Sequence, residues 1–224
     1  MNQKIFKDLI VLDLANNHFG DLKHSLKIVS EFSKIRNKYN IKATIKFQFR
    51  DLPNFIHPDF RNSNKKFIRR FLDTKLDTKK FYTLFKYIKK NKFKTSCTPF
   101  DEKSIDLIEK FKFDILKIAS VSALDFNLHE RAVNNKIPKI ISTGGLTLQQ
   151  IDKIVSFYIK KNQNFAIMHC VSAYPSNNNL LNINFISNLV KRYPEVPVGW
   201  STHEGPNELL PSSLAFAKGA KIFE

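Results

Sequence analysis

The chain has 224 residues, of which 42% are hydrophobic and 25% charged, a composition that excludes a disordered or fibrous protein and suits one large core. Lys and Arg number 37 against 20 Asp and Glu. The lysines are spread along the whole chain with no compact basic arm, so they read as solvated helix faces and nucleic-acid binding is not expected. A basic surface still raises the local concentration of small anions. No apolar run approaches the length of a membrane span and the N-terminus shows no signal-peptide pattern, so a cytoplasmic protein is expected.

Short apolar runs alternate with amphipathic stretches. The runs are Ile10–Ala15, Ala43–Phe47, Thr95–Thr98, Ile115–Ala119, Lys139–Ser142, Phe165–His169, Val196–Trp200 and Ala220–Phe223. They are rich in Ile and Val and read as parallel strands, apolar on both faces. Helices are expected over Leu22–Lys38, Thr78–Lys90, Ser104–Phe111 (opening on a possible capping sequence), Leu128–Asn135, Thr147–Lys160, Ile183–Tyr193 and Asn207–Lys218. Cys97 and Cys170 lie within strand-like runs. Reduced, buried thiols are the expectation, with a disulfide left open.

Eight strands alternating with seven helices in one chain imply βα units with right-handed crossovers, and the number of strands favours a single α/β (β/α)₈ barrel over an open sheet. No G-x-G-x-x-G follows the first strand, against dinucleotide binding. Residues 51–77 form a long βα loop with short helical pieces expected. The chain stops after the eighth strand, so the eighth helix is missing and a fragment, or a gap covered by another chain, is expected.

Function in such barrels gathers at strand C-termini. There the sequence places Asp13, Lys46, Gln48, Thr98, Lys117, Ser120, Ser142, Ser172, Tyr174, Ser201, His203 and Glu224. Lys46 and Lys117 suit a phosphate or carboxylate. The Ser142-Thr143-Gly144-Gly145 stretch can present hydroxyls and backbone N–H groups to an anion. His203 can bind a divalent metal through a neutral imidazole.

These segments carry a specific likeness. Asn17-His18-Phe19-Gly20-Asp21, Lys46-Phe47-Gln48, Thr98-Pro99-Phe100-Asp101, Lys117-Ile118-Ala119-Ser120, Ser142-Thr143-Gly144, His169-Cys170 with Tyr174-Pro175, Gly199-Trp200-Ser201-Thr202-His203 and Gly219-Ala220-Lys221-Ile222-Phe223-Glu224 follow one another in the order of the blocks of the sialic acid synthase family. The chain resembles that family's catalytic barrel over nearly its whole length. The resemblance implies condensation of phosphoenolpyruvate with an N-acyl mannosamine or related amino-sugar aldehyde, giving a nine-carbon 2-keto acid and phosphate. It implies Lys46, Thr98, Lys117, Ser120, Ser142, Ser172 and Ser201 as phosphoenolpyruvate ligands, and Asp13, Gln48 and Tyr174 as sugar contacts. Asp13, Lys117 and Glu224 would be catalytic. His203 would be one ligand of a divalent metal, Mn²⁺ with Mg²⁺ or Co²⁺ as alternatives.

The pattern departs from the family in places. Asp13 stands where Glu is usual, and Ser122 stands where a sugar-contacting Glu is usual, so the sugar is left open. The family's second metal His would fall two residues beyond Glu224, and an antifreeze-like domain follows in full-length members, which are expected to be homodimers. The truncated chain is therefore expected to bind metal poorly. The alternative is a non-catalytic phosphosugar-binding remnant, or a partner of a complete synthase.

Overall fold

The computed structural model describes residues 3–205 and 207–224. The elements alternate in chain order: β1 (Leu9–Asp13), α1 (Leu22–Tyr39), β2 (Ala43–Phe49), α2 (Leu52–Phe55), α3 (Lys66–Asp73), α4 (Thr78–Lys90), β3 (Lys94–Pro99), α5 (Glu102–Phe111), β4 (Ile115–Ile118), α6 (Phe126–Val133), β5 (Lys139–Ser142), α7 (Leu148–Lys160), β6 (Phe165–Cys170), α8 (Asn184–Arg192), β7 (Val198–Ser201), α9 (Leu210–Ala217) and β8 (Ile222–Phe223). The strands close into a barrel in sequence order, β1 through β8, the (β/α)₈ fold expected from the repeats. No helix among the described residues is long and apolar enough to cross a membrane.

The chain divides into two compact units, Met1–Val11 with Ile115–Glu224 as the first and Leu12–Asp114 as the second. In the first unit β4, β5, β6, β7 and β8 pair in parallel, and β8 pairs with the start of β1. Phe6, Leu9, Val11, Ile115, Ile140, Ala166, Met168 and Ile222 form its buried apolar cluster. Gly199 is required there: a Cβ would lie 2.9 Å from Ile222 Cβ and 3.0 Å from both the Ile222 carbonyl oxygen and Met168 Cγ. His129 is fully buried, with Nε2 2.9 Å from the Ala123 carbonyl and Nδ1 2.8 Å from the Tyr158 hydroxyl. A neutral ring donating to the carbonyl and accepting from the hydroxyl satisfies both contacts.

In the second unit β2 and β3 pair in register, Lys46 beside Ser96 and Gln48 beside Thr98. Here the expectation of strands apolar on both faces needs correction. Side chains alternate along a strand, so Thr44, Lys46 and Gln48 share one face while Ile45, Phe47 and Phe49 share the other. Thr44 donates to Ser96 Oγ at 3.1 Å, whereas Phe47 and Phe49 pack edge-on against Phe81 of α4 and against Phe113. The insert over 51–77 does contain short helices, α2 and α3 with a 3₁₀ turn at Pro58–Phe60.

Acidic side chains start several helices. Asp21, Asp77, Asp101 and Asp125 accept backbone N–H bonds at the N-termini of α1, α4, α5 and α6, where the helix dipole also favours negative charge. The cap of α5 is therefore Asp101, and Ser104 is the third helical residue, not its start. Both cysteines are free thiols; Cys97 is buried and Cys170 is only partly so.

Candidate active site

In the second unit the predicted residues stand on adjoining strand ends. Asp13 closes β1, Lys46 and Gln48 lie on β2, and Thr98 lies on β3. Asp13 is the hub. Its Oδ2 is 3.1 Å from the buried Lys46 ammonium and accepts from Gln48 Nε2 at 3.5 Å, while its Oδ1 accepts the Ala15 N–H at 3.0 Å. A carboxylate one methylene shorter than Glu is thus held by three donors at the strand ends. Thr98 is buried. Arg50, which sequence reasoning passed over, donates from Nη2 to Gln48 Oε1 at 2.8 Å. With its acceptor oxygen taken, the Gln48 amide turns its N–H₂ toward Asp13. His18 is buried and its Nδ1 accepts the Gly20 N–H at 3.1 Å. Burial, with His24 nearby, holds its pKa below the usual histidine value, so the ring stays neutral as an acceptor.

In the first unit the remaining residues follow the same rule. Lys117 lies on β4, Ser120 in the 3₁₀ turn after it, Ser142 at the end of β5 and Ser172 after β6. Ser201 ends β7, and Glu224 follows β8. Lys117 and Glu224 form an ion pair whose side chains are both more than nine-tenths buried. The Glu224 N–H donates to the Trp200 carbonyl at 3.0 Å, which fixes the backbone of this residue against β7.

Gly144 is the centre of a second arrangement. Its N–H donates to Ser120 Oγ at 3.1 Å. A Cβ built on it would fall 2.7 Å from Ser172 Oγ and 2.8 Å from Ser120 Oγ. The missing side chain is what lets the Ser120 and Ser172 hydroxyls both approach the Gly144 α-carbon. The Ser120 hydroxyl accepts the Gly144 N–H and keeps its own proton to donate, as does Ser172, and converging hydroxyl donors suit an oxyanion. Ser142 is buried at the entry to the same loop.

Tyr174 and His203 are both exposed, and their rings meet at a centroid separation of 4.0 Å. The loops carrying them are tied together: Ser176 N–H donates to the His203 carbonyl at 2.8 Å, and His203 N–H donates to Ser176 Oγ at 3.1 Å. Among the described residues no group of three His, Cys, Asp or Glu side chains is placed to hold a metal ion. His203 is a single donor, and these residues do not by themselves make a metal site.

The closed parallel barrel with polar residues at its strand ends defines the class as a (β/α)₈ barrel, a fold whose chemistry gathers at those ends. Within that class, the chain belongs to the NeuB family, whose pattern matches residues 37–224. It is 27% identical to the N-acetylneuraminate-9-phosphate synthase of Drosophila melanogaster across 96% of this chain and 58% of that protein. It is also 27% identical to the N,N'-diacetyllegionaminic acid synthase of Campylobacter jejuni, across 97% of this chain and 66% of that one. The solved sialic acid synthetase of Leptospira borgpetersenii, in complex with citrate, superposes with a TM-score of 0.82 at 28% identity, covering 96% of this chain and 71% of that chain. A Chromobacterium violaceum protein assigned to spore coat polysaccharide biosynthesis superposes at 0.94 with 38% identity, over 97% and 65%. The chain spans about 58% to 60% of the length of the curated relatives it matches first.

Proposed function

We propose that this chain is the catalytic barrel of a nonulosonic acid synthase that joins phosphoenolpyruvate to the aldehyde of an N-acyl amino sugar. The observation that carries the reading is the Gly144 cradle, where the Ser120 and Ser172 hydroxyls converge on the space a side chain at this glycine would fill. The family and its synthase relatives support the same reaction class.

The roles are assigned within each unit. In the first unit Lys117, Ser120, Ser142, Ser172 and Ser201 take anionic oxygens of phosphoenolpyruvate, and Tyr174 borders the sugar. In the second unit Asp13 and Gln48 contact sugar hydroxyls, while Lys46 and Thr98 serve anionic oxygens. Binding orients the enol C3, which forms the new bond to the aldehyde carbon as the carbonyl oxygen gains a proton. Water adds to the resulting cationic C2, giving up a proton toward Glu224. The bond between C2 and the ester oxygen then breaks: phosphate leaves with that oxygen and takes the proton of the new C2 hydroxyl, whose oxygen becomes the keto group. His203 is proposed as one donor to a divalent metal, which would polarise the aldehyde when bound.

The test is phosphate release from phosphoenolpyruvate with Mn²⁺ and a panel of amino sugars, using the whole protein that carries this chain. Release that depends on an amino sugar and disappears in Lys117→Ala supports the reading. Release unchanged in Lys117→Ala, or absent with every sugar, overturns it.

A further inference from the structure

We propose that the cavity beside the end of β2 is an oxyanion site, in which Arg50 selects a ligand bearing a phosphate or carboxylate substituent. The cavity lies wholly in the second unit and encloses about 460 Å³, with Asn16, His18, Gln48, Arg50 and Phe71 among its lining residues. That is room for a sugar-sized ligand.

Arg50 continues the polar face of β2 one step beyond Gln48. Its guanidinium carbon sits 3.8 Å from the centroid of Phe100, 4.6 Å from Phe71 and 5.7 Å from Phe55. Aromatic rings hold a guanidinium in place without neutralising it. Its single hydrogen bond among the described residues goes to Gln48, and its Nε is buried without a partner. No carboxylate among the described residues forms an ion pair with it. Burial pulls its pKa down to about 10, against the raising influence of Cys97, Asp13 and Asp101 and with a further lowering by Arg70. The side chain remains a cation at neutral pH, partly desolvated and, among the described residues, within reach of the Asp13 and Asp101 charges but ion-paired with neither.

The carboxylates on the cavity wall are committed elsewhere. Asp51 is paired with Lys103 at 2.9 Å and accepts from Asn54 at 2.6 Å. Asp77 caps α4 through the Lys80 N–H. Besides Lys103, which is paired with Asp51, Lys75 adds a further, exposed cation to the lining. The cavity therefore has surplus positive charge at a fork-shaped donor, the arrangement that recognises a planar or tetrahedral oxyanion. Because Arg50 also orients the Gln48 amide, the site would take an acceptor sugar with an acidic substituent. That last identification rests on the proposed synthase reading; oxyanion binding does not.

The experiment is calorimetric titration of the whole protein with N-acetylmannosamine, N-acetylmannosamine 6-phosphate and inorganic phosphate, without phosphoenolpyruvate. Wild type is compared with Arg50→Gln and with Arg50→Lys, which keeps charge but loses the fork. Roughly tenfold or tighter binding of the phosphorylated sugar over the neutral one is expected, lost in Arg50→Gln and partly kept in Arg50→Lys. Inorganic phosphate binding as tightly as the sugar phosphate, and depending on Arg50, supports the oxyanion site with free phosphate as its ligand. No preference in wild type, or a preference that survives Arg50→Gln, overturns the proposal. Should Arg50→Gln fail to fold, full preference in Arg50→Lys overturns the need for the fork. Phosphoenolpyruvate affinity, titrated separately, tells the failures apart: if it persists without a sugar-phosphate preference, only this inference falls. Arg50-dependent sugar-phosphate binding without any phosphate release removes only the synthase reading.

Discussion

The Lys117 ammonium and the Glu224 carboxylate form a buried ion pair that ties β4 to the residue following β8, 107 positions apart in the chain. Burying one such charge alone costs several kcal/mol, so the two depend on each other. Lys117→Ala is expected to cost about 3–5 kcal/mol of stability along with its effect on turnover. Lys117→Met combined with Glu224→Gln should recover much of that stability and none of the activity. Denaturant midpoints for the single and double variants check this. A single variant as stable as wild type would show that the pair carries no structural weight.

Gly144→Ala tests the cradle separately from the core. The added methyl would meet hydroxyls at 2.7 and 2.8 Å, and serine side chains can rotate away at small cost. The fold should survive with a loss of about 1 kcal/mol, while phosphoenolpyruvate binding weakens about tenfold or more. Titration with phosphoenolpyruvate, set beside thermal unfolding, separates the two effects. Unchanged affinity would remove the cradle from the binding site.

Gly199→Ala is the contrasting case. Its new methyl would face Ile222 Cβ, the Ile222 carbonyl and Met168 Cγ at 2.9–3.0 Å. Of these only the methionine side chain can readily move. A loss of about 1–3 kcal/mol is expected, read from urea denaturation. Stability equal to wild type would mean that β6, β7 and β8 can spread without penalty.

Acid should weaken the protein well before carboxylates titrate. Burial lowers the pKa of His18, His129 and His169 below 6.5, with His24 adding to the effect at His18. The unfolded chain then binds protons that the folded chain refuses. The stability from these rings is complete above pH 6.5 and declines as pH falls from there toward the folded values. Asp114 and Asp152 are also lowered, but their contribution is lost only below their ordinary value of 3.8. Urea denaturation at about pH 5 and pH 7 should therefore differ, with the lower pH less stable. Equal midpoints would contradict the neutral burial of these histidines.

Much of this architecture is legible in the residues. Lys139–Ser142 and Thr78–Lys90 fall as periodicity places them, because a short apolar run and an amphipathic stripe leave few alternatives. The start of α5 was not, because Asp101 and Ser104 are both good caps and only the backbone decides which side chain folds back. Arg50 escaped notice because β2 was expected to end at Phe47, with a charged loop from 51. Strand structure runs to Phe49, and the alternation of Thr44, Lys46 and Gln48 then points to Arg50. The pairing of Lys117 with Glu224, and the approach of Ser120 and Ser172 to Gly144, join residues far apart in the chain. Local patterning supplies the residue types but not the meeting.

The alternation along β2 has a further consequence. Phe47 and Phe49 anchor the strand in an aromatic core while their immediate neighbours Lys46 and Gln48 address Asp13. One rigid rod serves as both foundation and instrument. Any substitution that re-seats those rings turns the rod and re-aims its polar edge, so evolution of new ligand preferences here can proceed through hydrophobic exchanges that never touch a ligand.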